Sequence, residues 1–256
     1  MGTTGYRELA AILREAIQQG QYAPGATLPK QDELATQYAV NVKTVRNAVA
    51  LLEAEGLVTP IRRRGTVVRE QPPMRRLGVE RYSKQKWKYG DLVAFAADRE
   101  ASGQAWKPTD QTQTVAQVGA DAEIAQAFEI EPGTPVYERA RLVKDGDQPT
   151  HTLTSYYLPQ HVENTPLVDP TPGPAGRGDG FAVLTLQGLE PDHITESFHA
   201  RMPTPDEIEQ LDLPAGEPVM VLQRRTYTAD GTLVEVARGV HAASRFSWTY
   251  SFPIPD

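Results

Sequence analysis

Hydrophobic residues recur with helical spacing near the start of the chain and predict a first helix that should end at Gly20. Its apolar face carries Tyr6, Leu9, Ala10, Leu13 and Ile17. A second short helix is predicted from about Lys30 to Tyr38, after Leu28-Pro29, with Leu34 and Ala35 on its buried side. The two helices are joined by a turn at Pro24-Gly25.

A third helix is predicted from Asn41 to about Glu55, and its polar face carries candidate chemistry. Asn41 can cap this helix by accepting a hydrogen bond from an unpaired backbone N–H. Gly56 then stands where a glycine commonly ends a helix. The positions expected to face inward are Val42, Val45, Val49 and Leu52. The positions expected to face outward are Lys43, Thr44, Arg46 and Asn47.

A basic hairpin follows the third helix. Leu57-Val58 and Thr66-Val67-Val68 are predicted strands, and Arg62, Arg63, Arg64 and Gly65 connect them. A basic triplet is usually a solvated surface, but at the tip of a hairpin beside a long helix it favours contact with nucleic acid. The alternative is that this module makes protein contacts only.

The C-terminal part repeats itself. The segment Phe128 to Tyr137 aligns with Leu211 to Met220, and a short acidic helix precedes each, at about 121–127 and 205–210. Each segment leads into a strand with an arginine at the same offset, Arg141 and Arg224. Each strand then turns at Asp-Gly, at 145–146 and 230–231, which is a strong hairpin signal.

Further strands are predicted at 112–118, 193–202 and 246–252, and a helix at 181–189 after a Pro/Gly-rich loop at 166–180. These elements predict an α+β domain around an antiparallel sheet. The two arginines of the first repeat, Arg139 and Arg141, should share a face because side chains alternate along a strand. An arginine fork suits a carboxylate or a phosphate, although each arginine could instead pair with the acidic surface around it.

Charge is divided unevenly along the chain. Residues 1–70 carry +2, residues 71–90 carry +5, and residues 91–256 carry −14, within a net charge of −7. The split favours a DNA-facing N-terminal end. The chain has no cysteine, so neither disulfides nor thiolate metal sites are possible. The sequence shows no signal peptide and no membrane span, so a cytoplasmic protein is expected.

The first seventy residues resemble the winged helix-turn-helix domain of the GntR superfamily. The resemblance rests on Gly20, Pro24-Gly25, Leu28-Pro29, Leu34-Ala35, Thr44-Val45-Arg46, Ala48, Glu55-Gly56-Leu57-Val58 and Gly65-Thr66. It implies that the third helix reads a major groove and that the hairpin is a wing. Lys30-Gln31-Asp32, Asn41-Val42 and Arg63 depart from the family pattern, so a different operator is expected. The candidate DNA contacts are Lys30, Gln31, Asn41, Lys43, Thr44, Arg46, Asn47, Arg62, Arg63, Arg64, Gly65 and Thr66.

Residues 91–256 resemble the UTRA effector-binding domain of HutC-type GntR regulators, which shares its fold with chorismate lyase. The resemblance rests on Gly133, Pro135-Val136, Arg139-Ala140-Arg141, Tyr157-Leu158-Pro159, Leu211 to Pro218, Asp230-Gly231 and Glu235. It implies a homodimer that binds a small, often anionic effector. The long loop and Ser244-Arg245 depart from the family pattern. The candidate effector residues are Arg139, Arg141, Thr154, Ser155, Tyr157, Arg224, Glu235 and Arg245.

The predicted organisation is therefore a winged helix-turn-helix domain at 1–70, a basic linker at 71–90, and a UTRA-like domain at 91–256. The linker either touches phosphate or packs its aromatic side chains on the second domain, and the second alternative is favoured. The predicted function is a one-component repressor that an effector releases from a palindromic operator in double-stranded DNA, without a cofactor or metal. The alternatives are a chorismate-lyase-like enzyme and a DNA-binding architectural protein without a ligand.

Overall fold

A computed structural model of the chain describes residues 5–55, 57–69, 74–84, 110–170 and 180–250. The N-terminal domain has three helices, α1 (Tyr6–Gln18), α2 (Gln31–Gln37) and α3 (Val42–Ala54), followed by strands β1 (Val58–Ile61) and β2 (Gly65–Val68). One hydrophobic core joins these elements, and it includes Leu9, Leu13, Leu34, Val45, Leu52 and Val58. The three predicted helices are confirmed.

The buried face of α3 differs from the prediction at its first residue. Val45, Val49 and Leu52 are buried as expected, together with Ala48, but Val42 is 43% exposed. The prediction that Val42 faces inward was wrong. Val42 follows the N-cap directly and lies at the margin of the core, so helical spacing alone did not bury it.

The hairpin is a two-stranded antiparallel sheet in which Val58 lies opposite Val68 and Ile61 opposite Gly65. Residues 62–64 form the turn, and Arg63 adopts a φ of 66°. The chain between α1 and α2 supports the hairpin, because Thr27 forms a bridge with Val67. The predicted wing is confirmed, with its tip one residue shorter than expected because Gly65 already belongs to β2.

The second domain is built from two copies of one unit. The first copy consists of β4 (Gln111–Gly119), α4 (Ala122–Phe128), β5 (Pro135–Asp145) and β6 (Gln148–Tyr157). The second consists of β7 (Pro191–Arg201), α7 (Pro205–Leu211), β8 (Val219–Thr228) and β9 (Leu233–Ala242). Between them lie the short helices α5 (Pro159–Val162) and α6 (Gly180–Leu186). The internal repeat and both Asp-Gly hairpins are confirmed.

The two copies join edge to edge in one six-stranded antiparallel sheet with the order β4-β5-β6-β9-β8-β7. The central pair is β6 and β9, with Ser155 opposite Ala237. Helices α4 and α7 cover one face, where Phe128 and Leu211 contribute to two small hydrophobic clusters. The opposite face carries the arginines and is called the polar face below; it is defined by Arg139, Arg141, Ser155, Tyr157, Arg224 and Glu235.

Part of the predicted linker is a strand of the second domain. The strand β3 (Met74–Leu77) pairs in parallel with β10 (Phe246–Thr249), close to the C-terminal end of the described chain. A 3-10 turn at Val79–Tyr82 follows β3. Several predicted segments lie outside the described residues: positions 71–73 and 85–90 of the linker, Gly56 after α3, positions 171–179 of the Pro/Gly-rich loop and positions 251–252 of the last predicted strand.

Candidate nucleic-acid interface and ligand site

The outer surface of α3 presents the predicted contact residues to solvent. Lys43, Arg46 and Asn47 are exposed, and Thr44 is half-buried. The side chain of Asn41 accepts hydrogen bonds from Thr44 N at 2.7 Å and from Thr44 Oγ1 at 3.1 Å. Asn41 and Thr44 therefore shape the start of α3, where unpaired N–H groups favour an anion such as a phosphate.

The start of α2 adds a second basic position. Lys30 is exposed and Gln31 is half-buried. The backbone N–H of Lys30 donates to Glu33 Oε2 at 2.9 Å, which ties down the first turn of α2 and leaves the Lys30 ammonium in solvent. The ammonium is then available to a phosphate.

The three wing arginines have different environments. All three are exposed, but Arg64 Nη2 donates to the carbonyl of Gly25 at 2.7 Å, so Arg64 anchors the hairpin to the body of the domain. Arg62 and Arg63 remain at the tip. A Cβ at Gly65 would stand 3.1 Å from Thr27, and the carbonyl of Thr66 accepts a hydrogen bond from Leu28 N. The backbone of Gly65 and Thr66 is thus part of the wing's support.

The polar face of the sheet brings most of the predicted ligand residues together. The register places Arg139 opposite Ser155, Arg224 opposite Ala237, and Thr226 opposite Glu235. Two predicted residues are not part of this cluster. Thr154 points to the helix-covered face because it neighbours Ser155 on the strand. Arg245 donates to the carbonyls of Leu211 and Asp212 at the end of α7 and to that of Pro149.

A buried ion pair occupies one end of the polar face. Arg224 Nη2 lies 2.9 Å from Glu235 Oε2, and Thr226 Oγ1 and Tyr157 OH also donate to this carboxylate at 3.0 Å and 3.1 Å. Burial would raise the pKa of Glu235, but the charges of Arg224 and Arg141 outweigh it and hold that pKa below its ordinary value. Glu235 is therefore a carboxylate whose acceptor sites are engaged by the protein itself.

Arg139 lies at the other end of this face and is 1% exposed. Its Nη2 donates to Gln113 Oε1 at 2.6 Å, and its Nη1 reaches the carbonyls of Leu167 and Asp169 at 3.3 Å and 3.4 Å. Burial and the neighbouring charge of Arg141 lower the pKa of Arg139 to about 10. This arginine holds the sheet to the chain that follows α5.

Arg141 stands between these two groups and has neutral partners. Its Nη2 donates to Ser155 Oγ at 2.5 Å and its Nε to the carbonyl of Leu153 at 3.4 Å. Arg141 takes part in none of the ion pairs between described residues. Burial lowers the pKa of Arg141, and the charge of Glu235 only partly opposes this effect. Arg141 is therefore a cation on the polar face whose hydrogen-bond partners are neutral.

Several residues of this site were missed by sequence reasoning. Gln113 on β4 could have been found from its alternation with exposed neighbours, because β4 was a predicted strand. Tyr82 and Phe181 carried no such signal. Their rings lie 5.8 Å and 5.6 Å from the Arg224 guanidinium, and Tyr82 OH donates to Glu196 Oε1 at 2.6 Å. Tyr82 reaches the site only because the segment after β3 folds onto the sheet.

In the described ranges, no group of three or more His, Cys, Asp or Glu side chains could hold a metal ion. Nor does any helix in these ranges have the length and apolarity needed to cross a bilayer.

Comparison with known proteins gives matches to both parts of the chain. Residues 5–68 match the family described as bacterial regulatory proteins, gntR family, and residues 104–247 match the UTRA domain. An HTH-type transcriptional regulator of Streptomyces coelicolor is 53% identical over 251 residues, which cover 98% of this chain and 93% of the relative. The histidine utilization repressor of Pseudomonas aeruginosa is 24% identical, over 94% of this chain and 88% of the relative. A crystal structure of a GntR-family transcriptional regulator superposes with a TM-score of 0.59 at 25% identity, over 98% of each chain.

Proposed function

Because the chain belongs to the GntR family of bacterial transcriptional regulators and carries a UTRA domain, we propose that it is an effector-responsive repressor. In this proposal a homodimer binds a palindromic operator in the cytoplasm, and a small anionic molecule releases it. The protein acts by binding and not by catalysis. The name of the relative from Pseudomonas aeruginosa, a histidine utilization repressor, supports the sign of regulation.

Arg141 is the observation that carries the effector part of the proposal. A half-buried guanidinium with a hydroxyl and a carbonyl as its partners retains donors for a carboxylate or phosphate. Its neighbours on the same face of β6 are Leu153 and Ser155, and β9, one strand further, carries the small residues Ala237 and Gly239 there. Tyr82 and Phe181, at the Arg224 end, supply aromatic surface for an apolar part of the same molecule.

The proposal of a palindromic operator rests on the shape of the N-terminal domain. One α3 with one wing covers a half-site, so a two-fold dimer is expected to recognise an inverted repeat. The second domain supports dimerisation because β4 and β7 are the two terminal strands of its sheet and offer edges for pairing. Its negative charge also keeps it away from DNA.

The effector proposal is tested with the full chain and a panel of small carboxylates and phosphate esters. Thermal shift identifies candidates, and calorimetry measures their affinity for the wild type and for Arg141→Gln. We expect Arg141→Gln to lose at least about 1.5 kcal/mol of binding energy, since a charge-assisted hydrogen bond is worth that much. Arg201→Gln, which alters a surface ion pair of the same domain, should bind normally. Equal affinity of all three proteins for the same anion would place the effector elsewhere.

The DNA proposal is tested with duplexes selected from a random library by the full chain. Fluorescence anisotropy on a full palindrome and on a single half-site should show much tighter binding to the full site. Arg46→Ala should lose about 1–3 kcal/mol of binding energy and discriminate less between bases at one position if it reads a base edge. If the protein is a monomer and binds the half-site as tightly as the full site, the proposed recognition of the operator by a dimer is wrong.

A further inference from the structure

At one aligned position of the two copies, only the second copy carries a side chain with a partner outside the domain. Thr134 in the first copy and Glu217 in the second occupy equivalent sites, just before the proline that opens β5 and the proline that precedes β8. The hydroxyl of Thr134 has a hydrogen-bond partner close in sequence, because it donates to the carbonyl of Glu131 at 2.6 Å. Glu217 is 2% exposed and has partners in two other parts of the chain.

Glu217 joins the second domain to the wing through Arg69. Arg69 Nη1 lies 2.7 Å from Glu217 Oε2, with side-chain exposures of 10% and 1%. The same guanidinium donates from Nε to Thr59 Oγ1 on β1 at 2.8 Å, and Arg69 N donates to the carbonyl of Leu57 at 2.9 Å. Arg69 is therefore fixed to the base of the wing at its backbone and its side chain, and its remaining charge faces the second domain.

The other oxygen of Glu217 is held from the opposite side. Glu217 Oε1 accepts from Ser244 N at 3.1 Å and from Ser244 Oγ at 2.6 Å. Ser244 lies just after β9, and Glu217 lies just before β8. These are the strands that carry Glu235 and Arg224 on the polar face. One carboxylate therefore links the ends of both strands to the base of the wing.

We propose that Glu217 is a positioning residue that fixes the orientation of the wing relative to the ligand-binding sheet. A buried carboxylate and guanidinium are weakly screened by salt, and each depends on the other for neutralisation. A shift of β8 against β9 moves Glu217 and Ser244 relative to each other and so changes the support of Arg69. The ion pair itself does not depend on the proposed function, but its use in regulation rests on it.

The test measures interdomain order without DNA or effector, so its failure is distinct from failure of the proposed function. The chain has no cysteine, and spin labels can be placed on single cysteines introduced at the exposed positions Gln37 on α2 and Asp147 at the β5–β6 turn. Labelled protein is diluted with unlabelled protein so that each assembly holds one labelled chain. Pulsed electron double resonance then gives the distance distribution between the two domains.

We expect a single narrow distribution for the otherwise wild-type protein and broader distributions for Glu217→Gln and Arg69→Gln. Arg69→Gln leaves the Glu217–Ser244 hydrogen bonds in place, so it isolates the interdomain contact. Arg69→Lys keeps the cation and should lie closer to the wild type. The matched control is Glu207→Gln, which breaks an ion pair of 2.6 Å within the second domain and should leave the distribution narrow.

Two results would overturn the proposal. One is a distribution as narrow as that of the wild type for both Glu217→Gln and Arg69→Gln, with circular dichroism showing that they are folded. The other is equal broadening in Glu207→Gln, which would indicate general loosening of the second domain. If Glu217→Gln does not fold, Arg69→Gln and Arg69→Lys decide the question, because both changes lie outside the sheet.

Discussion

Arg224 on β8 and Glu235 on β9 form a buried diagonal ion pair, with Nη2 2.9 Å from Oε2. Removal of one partner would leave the other charge in a poorly solvated position. We expect Arg224→Met to reduce the free energy of unfolding by about 3–5 kcal/mol, measured by urea denaturation. Arg201→Met breaks a more exposed pair with Glu207 and should cost no more than about 1 kcal/mol. Similar losses in both variants would show that the Arg224 pair has no special weight in stability.

His151 and His241 provide a pH dependence of stability. Their rings stack with centroids 4.7 Å apart and planes at 5°. Burial, and then the neighbouring positive charges, lower the pKa of both imidazoles well below 6.5. The unfolded chain therefore takes up protons at a higher pH than the folded chain. The free energy of unfolding should have its full value above the pKa that these imidazoles have in the unfolded chain. It should fall below about pH 6.5, by about 1.4 kcal/mol per pH unit for each imidazole.

The measurement is a series of urea denaturation midpoints on both sides of the ordinary imidazole pKa. The His151→Gln/His241→Gln double variant should flatten the acid limb of this profile. The matched control is His199→Gln, at an exposed position of β7, which should leave the limb unchanged. An unaltered slope in the double variant would show that other groups cause the acid sensitivity.

Local patterns predicted the elements of the fold well, because helical spacing and Asp-Gly turns are short-range signals. The internal repeat also predicted that the second domain contains two similar units. The sequence did not show that β6 would pair with β9 or that β3 would pair with β10, since both pairings join segments far apart in the chain and leave no periodic trace. Strand pairing set the order of the sheet and brought Arg139, Ser155, Arg224 and Glu235 onto one face.

The ligand site was predictable only in part for the same reason. Strand alternation placed Arg139 and Arg141 on the same face, and the register confirms this. Alternation also separates Thr154 from Ser155, although both were predicted as ligand residues. Tyr82 and Arg69 gain their partners through long-range folding, and nothing in their immediate sequence indicates a contact with Arg224 or Glu217.

Arg63 offers a test in which stability and DNA binding change in opposite directions. Its φ of 66° lies in the left-handed region, which disfavours residues with a Cβ. Arg63→Gly should therefore raise the free energy of unfolding by up to about 1 kcal/mol, although it weakens DNA binding by removing a cation at the wing tip. Denaturation and anisotropy on one selected duplex measure the two effects.

Arg62→Gly is the control for Arg63→Gly, because Arg62 is a neighbouring cation that is absent from the residues with positive φ. This variant should lose DNA affinity without gaining stability. If Arg63→Gly binds DNA as the wild type does over a range of salt concentrations, Arg63 makes no contact with phosphate. A loss of stability in Arg63→Gly would mean that the arginine side chain supports the turn.

Asn41 combines a structural role with a predicted DNA contact, and two substitutions separate them. Its Oδ1 accepts from Thr44 N at 2.7 Å, so Asn41→Ala should destabilise the protein by about 1 kcal/mol through loss of the N-cap. Asn41→Asp keeps the acceptor and adds a negative charge that favours the N-terminus of α3, so stability should be maintained or raised by about 0.3–1 kcal/mol. The same carboxylate would repel a phosphate, so Asn41→Asp should bind DNA more weakly than the wild type. Asn41→Ser retains a neutral cap and should preserve both properties more closely.

Urea denaturation and anisotropy on the selected operator give the free energy of unfolding and the DNA affinity for each Asn41 variant. If Asn41→Asp binds DNA with the affinity of the wild type, the start of α3 does not face the phosphate backbone, and the orientation proposed for the reading helix is incorrect.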